Sequence, residues 1–288
     1  MHVGESAMAD YSIDELIITC MARELRGEFL VSSVTAFGSI AAHLAKSTHA
    51  PELAVLSTPE SGMDAVPLPT LSLGQFLTEN QRAIPLTMED IFDAIFTDRF
   101  RIWINPAQID QQGNVNISAI GPWDKPKVAL VGSRGIPEDT SHLSQGLYYL
   151  TQHSPRTVVD HVDFISGAGY NPERQRTLKG RGAPTCLVTN LGVFGWHPDS
   201  GRMFVRTLHP GVTPDMVGDA TGFAIEIGAD TPATQPPTAE EIAIIRAADP
   251  LEVRKFELLS GKEAAEKFVA IYERERQALH AAWPRRRQ

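Results

Sequence analysis

Glu60 is the residue of this sequence best suited to covalent or acid–base chemistry. It lies between Pro59 and Ser61-Gly62, shortly after the apolar run 53–56, and so on a predicted turn at a strand end. A carboxylate held on such a turn can act as a nucleophile or a general base. From position alone, an exposed loop glutamate is the commoner case. The sequence therefore makes Glu60 a candidate catalytic residue and leaves its role open.

A second stretch, residues 105–118, is dense in Asn, Gln and Gly. This composition predicts turns with positive φ, in which side chains bond back to the backbone. Such a loop can form the wall of a ligand pocket, with Gln108 and Asn114 as its candidate binding residues. The alternative is structural: Asp110, Asn114 and Asn116 would then tie the loop to itself.

A third stretch, Gly132-Ser133-Arg134-Gly135, follows the apolar run 127–131. Glycines at a strand end leave backbone N–H groups free to face an oxyanion or a phosphate. The motif is neither a Walker loop nor GxGxxG. We take Gly132, Ser133, Arg134 and Gly135 as candidate ligand-binding residues, with an ordinary tight turn as the alternative.

The histidines and cysteines predict no metal site. The nine histidines show no HExxH-like spacing, and Cys20 and Cys186 form no CxxC pair. His142 and His153 could be catalytic, but nothing in the spacing pairs either histidine with a Ser or a Cys. Surface or structural roles are therefore favoured. The cysteines are predicted to be buried free thiols in a reducing compartment.

The elements that must position these residues follow from the periodicity of the sequence. Ser12 with Glu15, and Thr238 with Glu241, form capping boxes that predict helix starts. Several apolar runs are too continuous for one-sided strands and suit a sheet buried on both faces; they are 53–56, 101–105, 127–131, 157–165, 186–189 and 203–208. We predict an α/β fold, an open and mainly parallel sheet with helices on both faces and a helical C-terminal extension. The predicted organisation is a flexible leader 1–11, an α/β domain 12–257 and the extension 258–288.

Composition excludes several classes of function. The 288 residues include 26 basic and 35 acidic side chains, a formal charge of −9, which disfavours sequence-independent binding to nucleic acid. No run approaches the roughly 20 apolar residues of a membrane span, and the first residues are not those of a signal peptide. We therefore predict a cytoplasmic protein that contacts neither nucleic acid nor membrane.

Taken together, the motifs resemble the β subunit of heteromeric CoA-transferases, the family of glutaconate CoA-transferase. Their order and spacing agree from about residue 12 to 255; the matching pieces are Ala50-Pro51, Glu60–Asp64, Ala107–Asp110, Gly113–Asn116, Lys125-Pro126, Gly132–Gly135, Val162-Asp163, Gly167–Tyr170, Val188-Thr189, Gly192–Phe194, His209–Val217 and Thr221–Phe223. The resemblance implies an open α/β sheet of the NagB-like type. It also implies a partner α subunit, because the family's active site lies between two such halves. Coenzyme A enters as part of the substrate, and no permanently bound cofactor is expected.

The resemblance also implies roles for individual residues. Glu60 matches the glutamate that attacks the acyl-CoA carbonyl, forms a mixed anhydride, and then carries CoA as a glutamyl thioester to an acceptor acid. Gly132–Gly135 matches the glycine-rich segment whose amides face the reacting carbonyl or the CoA. The sequence departs from the family where Thr58-Pro59 lengthens the segment before Glu60, and where Asn105-Pro106 replaces the usual glycine.

Four segments resemble a divergent branch even more closely, namely 114–122 (NVNISAIGP), 166–170 (SGAGY), 190–194 (NLGVF) and 208–214 (LHPGVTP). That branch contains β subunits of steroid ring-opening acyl-CoA hydrolases, where the α subunit supplies the glutamate and water attacks. Our main prediction is an acyl-CoA transferase β subunit with Glu60 as nucleophile, and the alternative is a hydrolase β subunit. A non-catalytic ligand sensor is a third reading, disfavoured because no DNA-binding helix-turn-helix or basic stripe precedes the domain.

Overall fold

The strands of this protein are short and assemble into an open sheet in two parts, with small antiparallel ribbons beside it. The computed structural model describes residues 11–27, 29–32, 35–56 and 86–282. The strands in this part of the chain are β1 Leu30–Ser32, β2 Ala54–Leu56, β3 Phe100–Arg101, β4 Trp103–Ile104, β5 Gln108–Ile109, β6 Val115–Asn116, β7 Ala119–Ile120, β8 Val128–Ala129, β9 Gly146–Leu150, β10 Pro184–Thr189, β11 Gly192–Trp196 and β12 Met203–Leu208. The helices are α1 Ile13–Glu24, α2 Ala36–Thr48, α3 Met88–Phe96, α4 Ile136–His142, α5 Pro172–Thr177, α6 Pro214–Ala220, α7 Ala239–Ala248 and α8 Gly261–Ala282, with a 3₁₀ helix at Val253–Leu258.

The main sheet is open and mainly parallel. One part has the order β2-β1-β3, and the other has the order β12-β11-β10-β9-β4. Only Ile102 separates β3 from β4, so the two parts adjoin along one stretch of chain. Within the main sheet, the pairs β1–β2, β1–β3, β4–β9 and β9–β10 are parallel, and β11 and β12 add an antiparallel edge. The predicted fold class is confirmed, and the carboxyl ends of β1, β2 and β4 meet at one edge.

Both faces of the sheet are buried, as the continuous apolar runs predict. Along β9, Leu147 and Tyr149 belong to the core under α1, α2 and α7. Tyr148 and Leu150 belong to a second core on the opposite face, together with residues of α4 and α6. This alternation is the period of two that a strand imposes on its side chains.

Two of the apolar runs do not form the strands that we predict for the main sheet. The run 127–131 contributes only β8, which pairs with β7 in an antiparallel ribbon, and its Val128 and Val131 are 48% and 64% exposed. The run 157–165 contributes a single bridge between Val158 and Ile109. The hydrophobicity of a short run does not reveal which strand it pairs with, because tertiary packing decides the partner. Conversely, the sequence does not predict β9, although it lies between β10 and β4 in the second sheet part.

The capping boxes behave as predicted. The Glu15 carboxylate accepts the Ser12 N–H at 2.9 Å at the start of α1. At the start of α7, the Glu241 carboxylate accepts the Thr238 N–H at 2.7 Å, and Thr238 Oγ1 accepts the Glu241 N–H at 3.2 Å. Within the described ranges, no helix is both long enough and apolar enough to cross a membrane. All of the predicted leader except its last residue lies outside the described residues, and the division into domain and extension stays a prediction.

Candidate active site

A pocket of about 360 Å³ opens at the carboxyl ends of the parallel strands. Ser32 ends β1, Leu56 ends β2, and Ile104-Asn105 ends β4; all of them line this pocket. Helices α3 and α4 form its sides. Ligands of open α/β sheets bind at this edge, and the volume lies in the usual range for a small-molecule site.

Most of the pocket wall is apolar. Helix α3 contributes one apolar face, and the rest comes from β2, the segment from β3 to β4, the loops after β6 and β8, and the start of α4. The apolar lining residues are Leu56, Met88, Ile91, Phe92, Ile95, Phe100, Ile102, Trp103, Ile104, Ile117, Val131 and Ile136. The polar lining residues are Ser32, Thr35, Asn105, Arg134 and Asp139. Such a wall suits a hydrophobic group that carries few polar atoms.

The glycine-rich turn reaches the rim of this pocket, where Arg134 and Gly135 belong to its lining. Gly132 has φ of +86° and Arg134 has φ of +52°, so the chain turns through two left-handed residues. Gly135 then begins α4. A side chain at Gly132 or Gly135 would meet no atom within 4 Å, so both glycines face open space. The turn follows an exposed ribbon and not a central strand, yet it still brings Arg134 and Gly135 to the pocket edge.

Ser133, the remaining residue of the predicted turn site, contacts its own chain. Its carbonyl accepts the Ile136 N–H at 3.1 Å, and its hydroxyl lies 3.1 Å from the hydroxyl of Ser118. Ser118 in turn lies 2.7 Å from the hydroxyl of Ser166. This row of hydroxyls joins the turn to the loops behind it.

Gln108 and Asn114 do not line the pocket and are bound to their own chain. Gln108 Nε2 donates to Asp163 Oδ2 at 3.1 Å, and its Oε1 accepts from Asn116 Nδ2 at 2.8 Å. The backbone N–H and the Nδ2 of Asn114 donate to the two carboxylate oxygens of Asp110, each at 2.9 Å. These contacts favour the structural alternative for the loop, and direct contact with a ligand stays a prediction.

Asn114 also explains a glycine of the 166–170 motif. Its Oδ1 accepts the Gly169 N–H at 2.8 Å. A Cβ at Gly169 would collide with the backbone of Gln112, Gly113 and Asn114. The two loops therefore approach each other as closely as only glycine allows.

Asp139, on α4, is a pocket residue that the sequence analysis does not predict. Its side chain is almost fully buried, with 7% exposure, and its Oδ1 has no hydrogen-bond partner among the described residues. Burial, assisted by the neighbouring Glu138 charge, raises the pKa of Asp139 to about 7. In the sequence, Glu138-Asp139 looks like the ordinary acidic first turn of a helix, so no local signal distinguishes it.

The histidines considered for catalysis have structural partners. His153 lies 3.2 Å from Thr189 Oγ1 and 3.1 Å from Thr221 Oγ1, and burial lowers its pKa to about 4. His142 Nδ1 lies 3.1 Å from the Glu138 carbonyl. Neither histidine lines the pocket, which agrees with the predicted structural role. Over the described residues, no three His, Cys, Asp or Glu side chains cluster as metal ligands would.

Glu60, the predicted nucleophile, lies outside the described residues. The last described residue before it is Leu56, on the pocket wall.

The chain matches no protein-family model, but individual relatives are clear. It is 33% identical over 241 residues to the cholesterol ring-cleaving hydrolase IpdB subunit of Mycobacterium bovis, covering 81% of this chain and 92% of that protein. It is also 33% identical over 251 residues to the B-type subunit of 3-oxoadipate CoA-transferase from Pseudomonas knackmussii, covering 84% and 95%. The crystal structure of Rhodococcus jostii RHA1 IpdAB superposes with a TM-score of 0.75 at 29% identity, over 88% of this chain and 100% of the matched chain.

The B-type subunit of glutaconate CoA-transferase from Acidaminococcus fermentans is 26% identical over 258 residues, covering 82% of this chain and 95% of that protein. The predicted resemblance is thus confirmed for both branches, the transferases and the ring-cleaving hydrolases. The 3-oxoadipate transferase and the IpdB hydrolase match equally well in identity, so similarity alone does not separate the two reactions. The chain belongs to the CoA-transferase family, as one of its B-type, or β, subunits.

Proposed function

We propose that this chain is the β subunit of a heteromeric acyl-CoA transferase, which moves CoA between an acyl-CoA and a carboxylic acid. The observation that carries the proposal is the pocket at the carboxyl ends of β1, β2 and β4, with Leu56 on its wall shortly before Glu60. The full-length similarity to the B-type subunit of 3-oxoadipate CoA-transferase supports it. Coenzyme A is then a substrate, no cofactor stays bound, and the cytoplasm is the proposed location.

In this mechanism Glu60 is the nucleophile. Its carboxylate attacks the thioester carbonyl and expels CoA thiolate, leaving a mixed anhydride between Glu60 and the acyl group. The thiolate then attacks the glutamyl carbonyl, which releases the first carboxylic acid and leaves CoA on Glu60 as a thioester. An acceptor carboxylate repeats both steps in reverse. Covalent catalysis of this kind divides one difficult exchange into easier steps.

In this proposal, the turn at 132–135 stabilises anionic groups of the substrate. Backbone N–H groups at Gly132 and Gly135 stabilise the oxyanion that forms on the thioester carbonyl. Arg134 is exposed at the rim, where its guanidinium can pair with a CoA phosphate or an acceptor carboxylate. Gln108 and Asn114 act indirectly, because they hold the neighbouring loop in place.

An α subunit completes the site. Several exposed apolar side chains lie on β8 or in loops, among them Val128, Val131 and Ile165. Trp123 is 65% exposed and stacks on Phe164 with ring centroids 4.5 Å apart. Exposed apolar side chains that group together are typical of an interface. The isolated chain should therefore be inactive, and turnover by the purified β subunit alone would refute the two-subunit site.

The test uses the chain co-purified with its α subunit, as wild type, Glu60→Gln and the control Glu89→Gln, which removes an exposed carboxylate of α3. Acyl-CoA consumption and free CoA are followed with and without an added carboxylic acid. We expect acceptor-dependent exchange without free CoA, a loss on the order of 10³-fold in Glu60→Gln, and wild-type rates in the control. Wild-type exchange in Glu60→Gln would remove this residue from the mechanism.

The second candidate is a β subunit of an acyl-CoA hydrolase that opens a carbon ring. The apolar wall of the pocket favours it, as does the similarity to the cholesterol ring-cleaving hydrolase IpdB subunit. The partner then supplies the base, and this chain supplies the pocket. Consumption of a cyclic acyl-CoA without any acceptor, surviving in Glu60→Gln, would establish this candidate in place of the transferase.

A further inference from the structure

Asp139 is a buried ionisable group of the pocket to which the proposed mechanism gives no role. Its side chain is 7% exposed, and no described residue makes a hydrogen bond to its Oδ1. Buried polar atoms are nearly always paired in folded proteins. An unpaired one in the wall of a pocket marks a position where a ligand can supply the missing partner.

The surroundings of Asp139 disfavour its anion. Burial is the main cause and the Glu138 charge on the same helix adds to it, so the pKa of Asp139 rises to about 7. Across from α4, Tyr148 of β9 is itself fully buried, and burial raises the pKa of its phenol, which therefore stays uncharged. A protonated carboxyl differs from a carboxylate because it can donate a hydrogen bond as well as accept one.

We propose that Asp139 recognises an uncharged oxygen, a ketone or a hydroxyl, on an otherwise apolar acyl group of the CoA thioester. The apolar side chains of α3, among them Ile91 and Ile95, hold the hydrocarbon, and Asp139 makes the specific polar contact. The inference rests on the acyl-CoA substrate of the proposed function. It depends neither on Glu60 nor on whether the thioester is transferred or hydrolysed.

The same geometry disfavours acyl groups with a second carboxylate inside the pocket. Arg134 is the basic residue among the described pocket-lining residues, and it lies at the exposed rim. A carboxylate beside Asp139 would lose its hydration without gaining a cation from the described residues of this chain, which is a large cost in an apolar site. The acyl group is therefore apolar with a neutral oxygen, and not that of a dicarboxylic acid.

The test measures binding and not turnover, by calorimetry on the complex of this chain with its α subunit. The probes are cyclohexanecarbonyl-CoA, its 3- and 4-oxo and 3- and 4-hydroxy derivatives, and adipyl-CoA. The proteins are wild type, Asp139→Leu, Asp139→Asn and the control Glu89→Gln, an exposed residue of α3 that does not line the pocket. We expect wild type to bind at least one oxygenated ring about tenfold more tightly than the unsubstituted ring, the effect of one net hydrogen bond.

Asp139→Leu should abolish this preference while it keeps affinity for the unsubstituted ring. Asp139→Asn, which also donates and accepts, should retain most of it, and Glu89→Gln should equal wild type. Four outcomes would each overturn the proposal. The preference could survive in Asp139→Leu, or wild type could show no preference. Wild type could also bind no ring, or bind adipyl-CoA more tightly than the rings. If Asp139→Leu does not fold, Asp139→Val takes its place, because valine also lacks polar side-chain atoms and is closer to aspartate in size. Because no chemistry is measured, loss of transfer in Glu60→Gln leaves this result unaffected.

Discussion

Two regions of this protein bury acidic side chains, and they treat them in opposite ways. Where the 3₁₀ helix meets α1, Arg254 Nε donates to Asp14 Oδ2 at 2.7 Å and its Nη1 donates to Asp249 Oδ2 at 3.0 Å. Glu15 receives Arg246 Nε at 2.7 Å. In the pocket, Asp139 is also buried and has no such partner. Paired buried acids hold segments of chain together, whereas an unpaired one at a pocket is available to a ligand.

Loss of the cation from the paired region should have the largest effect on stability. Arg254→Met leaves Asp14 and Asp249 buried without their guanidinium, which costs about 5 kcal/mol of unfolding free energy. The matched control is Arg246→Met. Arg246 is 51% exposed, and Glu15 keeps Arg254 Nη2 at 3.5 Å, so the loss of Arg246 should cost about 1 kcal/mol. Urea unfolding of both variants measures the difference. Equal costs would mean that burial does not distinguish the two arginines.

The unpaired region should instead make stability depend on pH. Because the folded pKa of Asp139 is raised from 3.8 to about 7, the folded state binds more protons than the unfolded state between these values. Stability from this group is therefore fully present below about pH 4 and is lost as pH rises through 7, by on the order of 4 kcal/mol. In Asp139→Asn this loss should vanish. Unfolding free energies of wild type and variant from pH 4 to 8 should converge in acid; parallel curves would show that Asp139 keeps its ordinary pKa.

A paired neutral group gives the opposite dependence. His209 Nδ1 lies 2.9 Å from Thr234 Oγ1 and its Nε2 lies 2.8 Å from the Thr189 carbonyl. Burial lowers the pKa of His209 from 6.5 to about 4. The unfolded state then binds more protons, so stability is full above about pH 6.5 and falls by about 3 kcal/mol as pH drops to 4. His209→Gln should remove this acid sensitivity, and an unchanged slope between pH 6.5 and 4 would contradict it.

Sequence predicted the features of this fold that depend on local chemistry. The capping boxes at Ser12 and Thr238 are set by residues three apart, so they can be read directly. The buried, two-sided sheet follows from continuous apolar runs. The prediction for the run 127–131 was wrong, because the length and composition of the run do not reveal that it pairs with β7 and not with the main sheet.

The candidate site was predictable only in part, for a related reason. The turn at Gly132–Gly135 carries its own signal in its glycines, and Arg134 and Gly135 do reach the pocket. Asp139 carries none, because its burial depends on α3 and the strand ends, which are distant in sequence. The sequence predicts a functional or structural role for Gln108 and Asn114. It does not distinguish contact with a ligand from the internal hydrogen bonds that these residues make.

The smallest effects are expected at the two glycines of the turn. Gly132 should matter for the backbone conformation, and Gly135 for contact with the ligand. Gly132 has φ of +86°, so Gly132→Ser should cost about 1 kcal/mol of unfolding free energy. Gly135 has φ of −84° in open space at the start of α4, where serine is a good cap, so Gly135→Ser should change stability by less than about 0.5 kcal/mol. Because Gly135 lines the pocket, its substitution should raise the KM for acyl-CoA more than Gly132→Ser does. Equal KM values with unequal stabilities would show that the turn shapes the chain without contacting the substrate, and would reduce its role to that of Gln108 and Asn114.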